Sequence, residues 1–198
     1  MGGLRSFFRS WFLASRPFSL QASTSPVLIG TAAAGNVTSI HWPLFGLAII
    51  GAVLIQIQAN LVDELSDHKK NASKDKYPAP YKVLQRGLIS EQAMLIGISI
   101  IAAVIVSIGI VIVILTNLLV LLVGIISLSV ALLYSGGPFP LGKLGLGELL
   151  VFVFMGPIIV ASSYYIQTGT VTWQILAISL PSAFLVTAIL HCNNMRDI

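Results

Sequence analysis

The strongest constraint on the fold of this chain is an apolar run over residues 92–115 that contains no Asp, Glu, Lys or Arg. About 20 mostly apolar residues are enough for a helix to cross the hydrocarbon core of a bilayer. Charged residues make up only 9% of the chain, whereas a soluble domain usually carries about 25%. The sequence therefore predicts an integral membrane protein rather than a soluble protein with a large core.

Further segments have a similar length and apolar character, so the predicted fold is all-α, a polytopic transmembrane helix bundle. The predicted spans are residues 17–35, 42–61, 92–115, 117–134, 147–166 and 173–192. The first is the least regular, because it is partly polar and Pro26 interrupts it. Such irregularity is tolerated where it faces protein or a cavity. Residues 17–198 are predicted to form one transmembrane domain.

The charges are distributed unevenly over the predicted connections. The connections at 36–41, 115–117 and 167–172 contain no charged residue, and all 11 Lys and Arg and all 7 Asp and Glu lie on the opposite side. Cytoplasmic loops of membrane proteins carry the excess of Lys and Arg. The sequence thus predicts a multi-pass protein of the cell membrane with a cytoplasmic N-terminus and functional site. The net charge of +4 then requires no nucleic acid as a partner.

The N-terminal segment, residues 1–16, is predicted to be a cytoplasmic helix at the membrane interface. Arg5 and Arg9 are interspersed there with the aromatic residues Phe7, Phe8 and Trp11. This composition favours the boundary between lipid headgroups and acyl chains.

Four polar residues lie at helical spacing at the end of the second predicted span and just after it. Asn60, Asp63, Glu64 and Asp67 stand at i, i+3, i+4 and i+7, so a continuing helix places them on one face. Clustered carboxylates repel one another unless a cation lies between them. Mg²⁺ suits this role, because it takes carboxylate oxygens and completes its shell with water and substrate phosphates. The alternative is a solvated acidic loop that balances nearby cations.

A second polar group ends the last predicted span. The stretch "NNMRDI" contains Asn193, Asn194, Arg196 and Asp197. Two such groups at corresponding ends of two spans suggest two halves of one site, since polar residues at membrane depth are costly and usually functional. The alternative is an ordinary helix end with Asn and Asp caps.

Cations stand close to both polar groups. Lys82 and Arg86 precede the third span at i, i+4 and can hold a diphosphate directly, although they also fit as positive-inside anchors. The glycine-rich stretch "YSGGPFPLGKLGLGE" contributes Lys143 as its only cation. On its own, this stretch is typical of a connector between helices.

Together, and in this order, these motifs resemble the UbiA superfamily of intramembrane prenyltransferases. The resemblance covers nearly the whole chain and includes "SRPFSLQASTSPVLIGTAAA", the acidic stretch with "QRGLIS" after it, "YSGGPFPLGKLGLGELLVFVFMGP" and "NNMRDI". The segment "GGPFPLGKLGLGE" is most similar to the branch that prenylates 1,4-dihydroxy-2-naphthoate in menaquinone biosynthesis. The acidic stretches are shared by the wider superfamily.

The resemblance implies a central cavity that opens to the cytoplasm, within the lipid bilayer. Its implied ligands are a polyprenyl diphosphate donor, Mg²⁺ as cofactor and an aromatic acceptor. Ionisation of the donor leaves an allylic cation, which an electron-rich aromatic carbon attacks. In this branch the carboxylate of the acceptor is lost as CO₂, giving demethylmenaquinone.

The resemblance also suggests roles for the polar residues. Glu64, Asp67 and Asp197 are expected to hold the metal, Asn60, Asp63, Asn193, Asn194 and Arg196 to bind diphosphate or substrate, and Lys82, Arg86 and Lys143 to serve catalysis. The first motif usually begins Asn-Asp, and Asp63-Glu64 stands there instead. The extra methylene of glutamate shifts the ligating oxygens.

The family pattern continues beyond Asp197 with another aspartate and about three more spans. We therefore expect the chain to represent about six of about nine spans, as a fragment or as the product of a truncated gene. Little or no turnover is expected from it alone.

Two alternative functions remain open. One keeps the chemistry and changes the acceptor to homogentisate or 4-hydroxybenzoate. The other is a cation or lipid transporter that uses the acids as a relay. A relay predicts acids in mid-span on facing helices, whereas every acid here lies near one predicted interface, which favours the enzyme.

Overall fold

The computed structural model describes residues 2–69, 79–135 and 141–196. Within these ranges the regular structure is helical and contains no β-strand, so the predicted all-α class is confirmed. The helices are α1 (Gly2–Ala14), α2 (Gln21–Gly35), α3 (Trp42–Lys69), α4 (Glu91–Leu115), α5 (Leu118–Ser135), α6 (Gly147–Val153), α7 (Ile159–Thr168) and α8 (Trp173–Arg196). A π-helical turn, Phe154–Ile158, joins α6 and α7 into one rod.

Among the described residues, four helical stretches are long and apolar enough to cross a membrane. They are α3, α4, the α6–α7 rod and the Trp173–Cys192 part of α8, and the apolar part of α5 is shorter. Many apolar side chains on these helices are exposed, such as Ile114 (76%) and Leu118 (71%). Exposure on this scale is expected where lipid surrounds the bundle. The chain is a multi-pass membrane helix bundle.

One end of the bundle, which we term the neutral end, is closed by uncharged hydrogen bonds. The backbone N–H of His41, just before α3, donates to Gln167 Oε1 at 2.8 Å. Asn117 Nδ2, just before α5, donates to the hydroxyl of Tyr165 at 2.6 Å. The starts of α3 and α5 therefore lie beside the end of α7.

At the opposite end, which we term the charged end, polar contacts join the end of α3 to the start of α4 and the end of α8 to the start of α6. Lys69 Nζ at the end of α3 lies 3.2 Å from Glu91 Oε1 at the start of α4. Asn194 Nδ2 near the end of α8 donates to Glu148 Oε1 at the start of α6, at 3.0 Å. The structure thus places the acidic stretch and the last polar group at the same end of the bundle.

Helix α3 is longer than the second predicted span, which ended at residue 61. Its 28 residues extend over about 42 Å, whereas a hydrocarbon core is about 30 Å thick. The last turns, which carry the acids, can therefore continue the helix beyond the apolar layer.

The first predicted span is not one regular helix. A 3₁₀ turn, Pro17–Ser19, precedes α2, and α2 itself has 15 residues. The turn follows Arg16, whose left-handed backbone (φ 49°) interrupts the helical path after α1. Pro17 then fixes its own φ in the range that a 3₁₀ turn requires.

Two glycines allow helices to approach closely. A Cβ at Gly30 of α2 would overlap the carbonyl oxygen of Val160 in α7, and a Cβ at Gly156 in the π-helical turn would overlap Ala183 of α8. Pro157, which has no N–H, follows Gly156 in the same turn. The close contacts hold the α6–α7 rod between α2 and α8.

The connection between α3 and α4, described from residue 79 onward, folds back over the end of α3. Val83 and Leu84 are buried in a cluster with Leu61 and Leu65 of α3 and Met94 of α4. This packing fixes the segment that carries Lys82 against the last turns of α3.

Candidate active site at the charged end

Asn60 joins the site end of α3 to the segment between α1 and α2. Its Nδ2 donates to the carbonyl oxygen of Ser15 at 2.8 Å and to Ser19 Oγ at 2.9 Å, and only 6% of the residue is exposed. A buried amide with both donors satisfied positions backbone firmly. Asn60 therefore holds this segment next to the acids.

Asp63 pairs with an arginine that the sequence did not single out. Asp63 Oδ2 lies 2.8 Å from Arg16 Nη1, and the guanidinium lies 4.8 Å from the centre of the Tyr81 ring. The buried Arg16 Nε has no hydrogen-bond partner among the described residues. The guanidinium is therefore held on two sides and keeps one donor for a ligand.

Glu64 is the most deeply buried acid of the group, with 2% exposure. Its Oε1 accepts a hydrogen bond from the backbone N–H of Leu84 at 2.7 Å. Its Oε2 is buried and has no hydrogen-bond partner among the described residues. One oxygen of Glu64 thus anchors the α3–α4 connection, and the other has no hydrogen-bond partner in the part of the chain that the structure describes.

Asp67 pairs with Lys82, at 2.8 Å between Oδ2 and Nζ. Both side chains line a small cleft, together with Glu64, His68, Leu84 and Gln85. The exposed Arg86 instead donates to the carbonyl oxygen of Pro80 at 3.2 Å. Of the two cations predicted just before the third span, the structure therefore brings Lys82 to the acids, and Arg86 lies at the surface.

The second polar group is joined to the start of α6. Glu148 Oε1 accepts from Asn194 Nδ2 and lies 3.5 Å from His191 Nδ1. Asn193 and Arg196 lie in the last turn of α8, and Lys143 lies in the 3₁₀ turn Leu141–Leu144. For these three residues the structure describes the backbone alone. Asp197 lies outside the described residues.

Tyr134 at the end of α5 packs against the described part of the glycine-rich stretch. A Cβ at Gly142 would lie 3.1 Å from its ring, and one at Gly147 would lie 3.3 Å from its hydroxyl oxygen. Gly142 and Gly147 therefore leave room for this tyrosine near the start of α6.

Arg16, Tyr134 and Glu148 were not among the predicted site residues. Each carries a local signal, respectively an arginine directly before a proline, a tyrosine that ends an apolar run, and an acid directly after a glycine-rich loop. The contacts of Arg16 and Glu148 join residues far apart in sequence, so local spacing could not predict them.

The donor set fits the chemistry of Mg²⁺ without forming a complete site. No group of three or more His, Cys, Asp or Glu side chains within the described ranges converges as a metal site. Mg²⁺ needs few protein ligands, because it keeps water and takes phosphate oxygens. The unpartnered Glu64 Oε2 and the carboxylates of Asp63 and Asp67 are the hard oxygen donors that this ion prefers.

Comparison with known proteins matches residues 23–198 to the UbiA prenyltransferase family. A 1,4-dihydroxy-2-naphthoate octaprenyltransferase of Haemophilus influenzae is 29% identical over 96% of this chain and 64% of its own length. Enzymes of the same name are 32% identical in Bacillus subtilis, over 93% of this chain and 59% of their length, and 31% identical in Escherichia coli, over 96% and 64%.

The chain thus spans less than two thirds of the length of these curated relatives. The family match covers most of the chain, and it includes α3 with its acids and the whole of α8. On this match, the protein belongs to the UbiA prenyltransferase family.

Proposed function

We propose that the protein transfers a polyprenyl group from polyprenyl diphosphate to 1,4-dihydroxy-2-naphthoate, with loss of CO₂, at the cytoplasmic face of the cell membrane. The observation that carries the proposal is the presence of two ion pairs at the charged end. Asp63 pairs with Arg16, and Asp67 pairs with Lys82. Carboxylates for a metal and cations for a diphosphate are adjacent there. The names of the relatives support the choice of acceptor.

Each group of the site has a role in this proposal. Asp63, Glu64 and Asp67 would hold Mg²⁺. When bound, this ion would neutralise the negative charge on the leaving diphosphate. Arg16 and Lys82 would exchange their carboxylate partners for phosphate oxygens, a geometry suited to charge-assisted hydrogen bonds. Glu148, His191 and Asn194, which lie together at the same end of the bundle, would form the second half of the site.

The proposed reaction balances without a redox partner. The bond between the allylic carbon and the diphosphate oxygen breaks, and the electron pair leaves with the diphosphate. The aromatic ring supplies the pair for the new carbon–carbon bond and becomes cationic. The bond between the ring and the acceptor's carboxylate carbon then breaks, its electron pair returns to the ring, and CO₂ leaves. The product has the demethylmenaquinone skeleton at the quinol level.

The test is an assay of the native gene product in membranes, with polyprenyl diphosphate, 1,4-dihydroxy-2-naphthoate and Mg²⁺. We expect a prenylated, decarboxylated product and an equal amount of diphosphate. Asp67→Asn should lower the rate at least 100-fold, because it keeps the shape of the side chain and removes the charge that binds a cation.

The matched control is Glu91→Gln. Glu91 is an acid at the same end of the bundle, at the start of α4, and it pairs with Lys69 at the end of α3. Its rate should stay within about twofold, because surface ion pairs contribute little. Wild-type membranes without Mg²⁺-dependent product, or an Asp67→Asn variant as active as the control, would contradict the proposal. Homogentisate and 4-hydroxybenzoate, offered in competition, test the choice of acceptor.

A further inference from the structure

Gln56 is a polar residue of α3 that has no part in the ion pairs described above. It precedes Asn60 by four residues and Asp63 by seven, so the three side chains project from the same face of the helix. At a rise of 1.5 Å per residue, Gln56 lies about 6 Å from Asn60 and about 10 Å from Asp63 along the axis, toward the interior of the bundle.

The carboxamide of Gln56 is incompletely satisfied. Its Oε1 is buried and accepts no hydrogen bond from the described residues. A buried carbonyl oxygen without a donor costs about 1–3 kcal/mol, and inside a bilayer bulk water does not replace the missing partner. A persistent group of this kind calls for a partner from outside the fold.

Gln58 provides a contrast within the same helix. Its Oε1 is also buried without a hydrogen-bond partner in the described ranges, and 1% of the residue is exposed. It shares a face with Gly51 and Leu65, seven residues before and after it, and these pack against Ile108 and Met94 of α4. Gln58 is therefore enclosed between two helices.

Gln56 points to the other side of α3 and is only partly buried. Two residues along a helix correspond to a rotation of about 200°, so Gln56 cannot face α4 as Gln58 does. Gln56 instead lies on the face of Asn60 and Asp63, and its carboxamide oxygen has no donor among the described residues.

We propose that the Gln56 carboxamide binds the polar ring substituents, hydroxyl or carboxylate, of the aromatic acceptor and so determines acceptor specificity. This inference rests on the proposed function. With the diphosphate at the level of Asp63 and Asp67, the allylic carbon lies deeper in the bundle, and the acceptor ring lies beside it. A primary amide offers both a donor and an acceptor, which matches a hydroxyl or a carboxylate.

The test separates acceptor binding from donor binding. Gln56→Met keeps the length of the side chain and removes its hydrogen bonds, so the KM for the acceptor should rise about tenfold or more. The KM for polyprenyl diphosphate should stay within about twofold. The matched variant Gln58→Met should leave both values within about twofold of the wild type.

Acceptor analogues identify the group that Gln56 contacts. When the carboxylate or one hydroxyl is removed from the acceptor, the penalty of Gln56→Met should disappear for one analogue, because the contact is then already lost. Gln56→Glu, which has no amide donor, gives a second variant if the methionine variant does not accumulate. It should discriminate against the carboxylate-bearing acceptor and less against the analogue without the carboxylate.

An unchanged acceptor KM in both Gln56 variants would overturn the inference, and so would an equal rise for donor and acceptor. Failure of the proposed function has a different signature, since wild-type membranes would then form no Mg²⁺-dependent product with any acceptor.

Discussion

Arg16 combines a left-handed backbone with two side-chain contacts at the charged end. Its backbone (φ 49°, ψ 66°) lies in the left-handed region, which costs a residue with a side chain about 1–2 kcal/mol. The pair with Asp63 and the position over the Tyr81 ring offset this cost. Strain that is held by such contacts is found most often at functional sites, which supports a role for Arg16 in binding the diphosphate.

Two substitutions at this position separate backbone strain from charge. Arg16→Gly and Arg16→Ala both remove the guanidinium, but glycine adopts the left-handed conformation without penalty. We expect the glycine variant to be more stable than the alanine variant by about 1 kcal/mol, measured by thermal unfolding in detergent. Both should lower Mg²⁺-dependent prenyl transfer more than tenfold. Equal stability of the two variants would show that the backbone at this position is not strained.

Glu64 combines a structural contact with a proposed metal-binding role, and two variants distinguish them. Glu64→Gln keeps an oxygen for the Leu84 N–H and removes the charge, so stability should stay close to that of the wild type while the Mg²⁺ concentration for half-maximal rate rises about tenfold. Glu64→Ala should also lose about 1–3 kcal/mol of stability, because a buried N–H is left without an acceptor. A glutamine variant with unchanged Mg²⁺ dependence would contradict the metal-binding role.

The residues on one helix face were predictable from the sequence, whereas their partners were not. Helical geometry alone places Asn60, Asp63, Glu64 and Asp67 on one face, and α3 does continue through all four residues. Their partners come from the segment before α2 and from the α3–α4 connection. These contacts depend on how the helices pack, which a local pattern does not determine.

At the scale of the helices, hydropathy predicted where most spans lie. It did not predict the polar end of α3 or the 3₁₀ and π-helical turns. The predicted spans correspond to α3, α4, α5, the α6–α7 rod and α8. Hydropathy failed at residues 17–35, where a 3₁₀ turn replaces the first helical turns, and beyond residue 61, where α3 continues through polar residues. It also gave no sign of the π-helical turn, since such turns depend on local hydrogen bonding.

The contact between the π-helical turn and α8 permits a test of helix packing. Gly156→Ala should destabilise the protein by about 1–3 kcal/mol, because the new methyl group overlaps Ala183. Adding Ala183→Gly should recover part of this loss, since it removes the overlapping Cβ, although the Cα of residue 183 stays 2.9 Å from the new methyl group. Gly109→Ala is the matched control, because a Cβ there meets nothing within 4 Å. Thermal unfolding in detergent measures all three, and an additive double variant would contradict the proposed contact.

For the molecule as a whole, the separation into a neutral and a charged end supports the predicted orientation. The described ion pairs lie at the end of the bundle that holds the C-terminal ends of α3 and α8. Hydrogen bonds between uncharged groups close the opposite end. Positive residues concentrate on the cytoplasmic side of membrane proteins. The charged end is therefore expected to face the cytoplasm.

The single cysteine of the chain allows this orientation to be measured. Cys192 is exposed near the end of α8. In right-side-out membrane vesicles, a membrane-impermeant maleimide should leave Cys192 unlabelled until the vesicles are permeabilised. In a Cys192→Ser background, Ser39→Cys, at the neutral end, should be labelled from outside. The reverse pattern would show that the charged end faces outward.

Under the proposed function, the two ion pairs have a thermodynamic consequence for how the metal and the diphosphate bind. A cation that binds to Asp63 and Asp67 would displace Arg16 and Lys82, and a diphosphate that binds to Arg16 and Lys82 would take them from the acids. Either ligand alone would break attractive contacts, whereas both together would replace them. Each would therefore raise the affinity for the other by the same factor, and the site would select the metal–diphosphate complex over either of its components.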